Sequence, residues 1–144
     1  PGSFTGVRVG LAAARALAFA WGAELVGYPT LALVAAMAQG EHPGAVTVCM
    51  TGGHGEWFVQ DFDAQGVALT ALASLPAAQA SAYDGAAIVA GSQAKALVAL
   101  RKSGAAMALL PDARSFLLLP AAALTADTAP LYGRAPDARV PGAT

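Results

Sequence analysis

Three short stretches of this chain hold residues that could do chemistry. The first is Pro1-Gly2-Ser3-Phe4-Thr5-Gly6, followed by Val7-Arg8-Val9-Gly10. Small residues ahead of a helix leave backbone N–H groups exposed at the positive end of its dipole, where a phosphate or other anion can sit. No lysine follows as a phosphate loop requires, and Phe4 sits between Gly2-Ser3 and Thr5-Gly6, so the run is no G-x-S-x-G elbow either. A capped helix start, with Ser3 or Thr5 as the cap, explains the same residues and is the better account on chemistry alone.

The second stretch is Thr51-Gly52-Gly53-His54-Gly55-Glu56. His54 beside Glu56 could move protons. A hairpin between two strands accounts for every glycine without any reaction, and it is the favoured reading. The third is Ala90-Gly91-Ser92, a strand-to-helix turn of the kind that cradles phosphate in some ATPases. One glycine is a weak signal, and Ser92 as a helix cap explains it. No Ser-His-Asp or Cys-His set can be assembled, and His42 falls in a polar loop. Cys49 is the lone cysteine and only two histidines accompany it, which excludes a Cys/His zinc site and any internal disulfide. A reducing, cytoplasmic compartment is the natural expectation. No cofactor, metal site or catalytic residue is expected.

The elements that must carry these stretches follow from patterning. Val7, Leu11, Ala14, Ala18 and Trp21 recur at spacings of three and four, which predicts an opening helix from Thr5 to about Trp21, stopped by Gly22. Glu24 to Gly27 reads as a short strand. Leu31 to Gln39 reads as a second helix that Thr30 can cap. A polar turn, residues 40–44, marks a boundary between 1–43 and 44–144. Beyond it Val46 to Met50, Glu56 to Phe62 and Val67 to Ala71 predict an antiparallel meander. Ser74 to Gln79 is a poorly patterned, alanine-rich stretch compatible with a short helix. Ala86 to Val89 then predicts a buried strand, and Gln93 to Arg101 a helix with Leu97 and Leu100 inward. Another short helical region falls near Asp112 to Leu118, ahead of a proline-rich tail. A strand–turn–helix unit of this kind belongs to α/β folds.

Composition narrows the function classes. The 144 residues are 56% hydrophobic and only 12% charged, against about a quarter in ordinary soluble chains. So little solvated surface suggests that a partner, a twin subunit or further chain covers some of it. The net charge of −1 comes without a basic stripe, so any link to RNA is expected to be indirect. No segment is long and apolar enough to span a membrane, and the start lacks the features of a signal peptide. Pro1 in place of Met makes the start read as internal to a longer chain, or as processed or misannotated.

The opening helix offers a surface as well as a start. Gly6, Gly10, Ala13 and Ala14 are small and lie close together on it, so another backbone could approach. The alternative is close packing on the chain's own sheet. Arg8 and Arg15, one heptad apart, argue that one face is not core.

Taken in order, these residues resemble one family. The run from Pro1 to Leu11 (PGSFTGVRVGL) is similar to the TsaB/YeaZ signature GPGSFTGvRiGl, and the likeness continues through Ala16 to Gly22, Leu25 to Gly27 and Thr30-Leu31. Where the family commonly reads D-A-R-R-G-E-V-Y, this chain has Thr51 to Phe58. Gly55 and Glu56 match, but the aspartate and both arginines are replaced. The tail from Pro130 to Ala138 (PLYGRAPDA) resembles the family's closing P-x-Y-x-R-x-P-x-A segment.

The resemblance implies an α/β fold of the degenerate actin/sugar-kinase-like (ribonuclease H-like) type, with two lobes. Residues 1–43 would be the remnant of an incomplete N-terminal lobe and 44–144 the C-terminal lobe. It also implies a glycoprotease-like label without a protease site. The implied role is that of a non-catalytic scaffold in the formation of N6-threonylcarbamoyladenosine in tRNA, bound to a TsaD-type catalytic subunit, linked through the complex to a TsaE-type ATPase, and a homodimer when alone. The implied partner interface is Gly6, Arg8, Gly10, Leu11, Ala14 and Arg15 on the opening helix. Relatives carry about half a lobe ahead of this motif, so that helix is expected to show an exposed apolar face. The alternative is an enzyme of the same superfamily, either a nucleotide-binding phosphotransferase or a peptidase.

Overall fold

The computed structural model describes residues 3–133; Pro1, Gly2 and the tail from Arg134 onward lie outside the described residues. Its centre is β1, Val46–Thr51, whose first five residues are all buried. A strand buried on both faces needs an unbroken apolar run, and Val46-Thr47-Val48-Cys49-Met50 is close to one. Thr47 is the polar exception, and its hydroxyl is hydrogen-bonded inside the fold.

The hairpin expected from Thr51 to Glu56 forms. The N–H of Glu56 donates to the Gly53 carbonyl at 3.1 Å, with His54 and Gly55 both at positive φ, 57° and 79°. That backbone suits the right-handed twist of the strands it joins. It returns the chain as β2, Glu56–Phe62, antiparallel to β1. The third strand of the meander falls later than the alternation predicts. β3 is Ala73–Pro76, and residues 67–71 make only an isolated bridge, Phe62 with Ala68. The physical reason is Asp63. Its Oδ1 accepts from the N–H groups of Gln65 and Val67 and so builds a tight loop where a strand was expected. The alanine-rich stretch therefore splits into β3 and a single turn of helix, α3, Ala77–Ala80.

Two further strands complete the sheet. β4, Ile88–Ala90, lies parallel to β1, and β5, Ala105–Met107, lies parallel to β4. Between them runs α4, Ala94–Arg101. The order across the sheet is β3-β2-β1-β4-β5, and β2 alone runs against the rest. Helix α2, Thr30–Glu41, covers one face, where Leu31, Val34 and Ala38 meet Val46, Val48 and Phe62. On the other face α3 and α4 cover Cys49, Val59 and Val89 through Ala80, Ala94 and Leu97. Each buried valine or leucine here contributes about 1.5–3 kcal/mol relative to exposure.

Local details depart from the sequence expectations in instructive ways. Leu100 is 49% exposed, whereas Leu97 is fully buried in the cluster with Cys49 and Val89, so only one of the two leucines expected inward meets the sheet. Ser92 does not cap α4. Its Oγ accepts instead from the N–H of Thr51 at 2.9 Å, tying the β4–α4 turn to the end of β1. Thr30 is the first residue of α2, and the Pro29 that precedes it makes no side-chain cap. Residues 24–27 form a single bridge, Gly27 with Thr125, rather than a strand.

Candidate partner-docking surface

The helix α1, Phe4–Trp21, has no buried residue among its eighteen. Its start is capped as the sequence indicates. Ser3 Oγ accepts from the Gly6 N–H at 3.1 Å, and Gly22 closes the helix in the left-handed region at φ 61°. Val7, Leu11, Ala14 and Ala18 form the stripe turned toward the body, and each is half-buried. Trp21 does not join them and is 73% exposed. It stands beyond the last contact, so one more turn of correct spacing finds nothing to pack on. The opposite side is solvent-facing and apolar, with Val9, Leu17 and Phe19 all exposed.

The six interface candidates divide between these sides. Leu11 and Ala14 line a cleft inside the chain. Arg8 donates from Nε to the Tyr132 hydroxyl at 2.9 Å, and its guanidinium lies 3.8 Å over the Phe4 ring. Arg15 donates to both the Oγ1 and the carbonyl of Thr128, at 3.2 and 3.3 Å. Gly6 and Gly10 face solvent, and a Cβ at Gly10 would meet nothing within 4 Å. The small-residue side is therefore not closed against this chain's own sheet. The arginines, by contrast, are engaged within it. Sequence reasoning missed Tyr132 and Thr128 as their partners, since no spacing rule connects positions more than a hundred residues apart.

The cleft has a volume of about 1330 Å³. Val7, Leu11, Tyr28, Leu31, Phe58 and Leu72 make it largely apolar, and the hairpin loop around Gly52 and Gly53 stands at its edge.

Two of the chemistry-bearing stretches, Ser3-Phe4 and Thr51 to His54, line this cleft, and several of the polar groups in and around those stretches are engaged in hydrogen bonds within the sheet. Glu56 Oε2 accepts from the Ser74 hydroxyl at 2.6 Å across β2 and β3. Ser92 and Thr51 share a hydroxyl contact at 3.1 Å, and the Gln93 amide donates to Thr51 at 2.8 Å. Burial pushes the Cys49 thiol up to about 12, which keeps it protonated and unreactive at neutral pH. The Glu56–Ser74 pair ties β2 to β3, and Ser92 and Gln93 tie the β4–α4 turn to the end of β1.

A five-stranded mixed sheet, covered on both faces and carrying an external helix, defines an α/β protein of the actin/sugar-kinase-like class. The chain belongs to the TsaD family, described as tRNA N6-adenosine threonylcarbamoyltransferase, whose family model matches residues 1–123. Within that family it is TsaB/YeaZ-like. It is similar to a crystal structure from Pseudomonas aeruginosa of an uncharacterized protein with similarity to peptidase YeaZ. That match has 27% identity and a TM-score of 0.73, covering 93% of this chain and 70% of the other. It is similar also to YeaZ from Pseudomonas aeruginosa, at 28% identity and a TM-score of 0.68, covering 83% of this chain and 60% of that one. No curated protein matches the chain. Among the described residues no helix is long and apolar enough to cross a membrane.

Proposed function

We propose that this chain is a non-catalytic scaffold subunit in the formation of N6-threonylcarbamoyladenosine in tRNA, and that α1 is the surface it offers to a TsaD-type catalytic subunit. The observation that supports this reading is α1 itself, eighteen residues long with none buried and an apolar outer side. In proteins most helical stability comes from packing an apolar face. A helix left this open has its natural complement in another protein. Small residues at Gly6, Gly10 and Ala13 let a second backbone come close on that side.

Family membership supports the pathway, and the hydrogen-bonded pairs around Glu56, Thr51 and Ser92 support a structural rather than a catalytic use of those side chains. On this reading the chain forms homodimers alone, meets a TsaE-type ATPase only through the complex, works in the cytoplasm, and approaches tRNA indirectly. The near-neutral charge supports the last point.

The test is co-elution of the chain, and of any longer natural form of it, with the TsaD-type subunit of the same organism. Complex formation is expected, and Gly10→Arg or Leu17→Glu should abolish it while the thermal melt of the chain stays unchanged. Absence of a complex with the unaltered protein, or a complex indifferent to both substitutions, overturns the proposal.

A further inference from the structure

The attachment of α1 to the rest of the molecule is unusual in its route. Among the described residues, α1 makes none of the extensive contacts that join the strands and helices of the sheet to one another. Among the described residues, the hydrogen bonds from its side chains reach residues 128 and 132, both in the segment that follows the short helical turn Ala121–Ala123. That segment starts at Thr125, whose N–H and carbonyl pair with Gly27 at 2.9 and 2.8 Å. A local turn stiffens its start: the Asp127 N–H donates to Thr125 Oγ1, and the Ala129 N–H to Asp127 Oδ1. It then runs back along α1, meeting Arg15 through Thr128 and Arg8 through Tyr132. The spacing matches. Seven helical residues rise about 10.5 Å, and four extended residues reach about 13 Å. At its far end the Tyr132 ring lies 4.9 Å from the Phe4 ring. Gly133 is pressed on the Phe58 ring of β2, and a side chain there would force that ring to move.

We propose that residues 125–133 act as a strap, setting the position of α1 on the sheet, and that unfastening Tyr132 and Thr128 releases the helix while the sheet stays folded. The strap joins Gly27 in the connection after α1, the two arginines of α1, and Phe58 of β2. It also forms a wall of the apolar cleft, so the cleft and α1 change together when it lifts. This holds whether or not α1 is a docking helix, because it concerns the isolated chain.

Hydrogen exchange of the full chain, read by mass spectrometry, tests it. In Arg8→Ala/Arg15→Ala, and separately in Tyr132→Ala, amides of residues 4–21 should exchange about tenfold faster, with residues 46–62 unchanged. Alanine is the best helix former, so the arginine variant does not weaken α1 intrinsically. Tyr132→Phe keeps the ring on Phe4 and loses the hydroxyl, and should fall between. The strap is overturned if α1 exchanges at the parental rate in both variants, or if the sheet accelerates by the same factor as α1.

Discussion

The hydroxyl of Thr47 donates to Oδ1 of Asp61 at 2.6 Å, directly across the β1–β2 pair. Both residues are buried, and the Thr47 oxygen in turn accepts from the N–H of Ala86 at 2.7 Å. The Asp61 N–H is held by Thr70 Oγ1, which also contacts the Tyr83 hydroxyl. One threonine thus ties the central strand to β2 and to the segment leading into β4.

Thr47→Val keeps the shape and removes the hydroxyl. It leaves both the Asp61 carboxylate and the Ala86 N–H short of a partner in a buried place. A loss of about 1–3 kcal/mol is expected, more than for an exposed threonine. Urea unfolding would show it as a lower midpoint with an unchanged slope.

Cys49 carries a pH signature. Burial raises its thiol from an ordinary 9.0 to about 12. Between those values the unfolded chain loses the proton and the native chain keeps it, so native protein binds more protons. Stability from this group is therefore complete below pH 9 and falls as pH rises toward 12, by up to about 1.4 kcal/mol per pH unit. Burial raises Tyr83 in the same direction. Chemical denaturation at pH 8, 9.5 and 10.5 should show this decline, and Cys49→Ala should flatten it. A decline of equal steepness in Cys49→Ala would show that Cys49 is not its cause.

Two glycines should respond in opposite ways to alanine. A Cβ at Gly91 would run into the Cys49 carbonyl, and its φ of 122° is closed to other residues. Gly91→Ala should cost several kcal/mol, on the order of other strained core changes, or prevent folding. Gly10 lies in the middle of α1 with open space around it. Gly10→Ala should raise α1 helicity by about 0.5–1 kcal/mol, read by circular dichroism and by slower exchange of α1 amides.

The two leucines of α4 offer a further contrast. Leu97 is fully buried against Cys49 and Val89, and Leu97→Ala should cost about 2–5 kcal/mol in urea unfolding. Leu100 is half exposed, so the same change there should cost less than about 1 kcal/mol. Equal costs would mean that α4 sits differently on the sheet.

How much of this was legible in the chain itself depended on whether the signal was local. Helix α1, the hairpin at His54-Gly55, β1, β2 and α4 all announced themselves through spacing, glycines and apolar runs within a few residues of one another. Local chemistry offered Ser3 or Thr5 as the helix cap, and the structure chose Ser3. The third strand falls later than residues 67–71 because the Asp63 carboxylate, whose turn-building power the spacing does not reveal, holds Gln65 and Val67 in a loop. β5 went unread because three residues, Ala105-Ala106-Met107, carry almost no pattern. Of the candidate surface, the small residues and arginines of α1 were visible; which of them face solvent was not.

Sequence alone determined the repertoire: an α/β chain with few charges and an amphipathic opening helix, because periodicity and residue type act over one or two turns of chain. Tertiary structure decided the rest. It buried Leu97 and exposed Leu100, left Trp21 in water, engaged Ser92 with Thr51, and brought Tyr132 to Arg8. Those outcomes depend on where a sheet ends and which distant segment returns to it. Such long-range packing leaves no mark in the spacing of neighbouring residues.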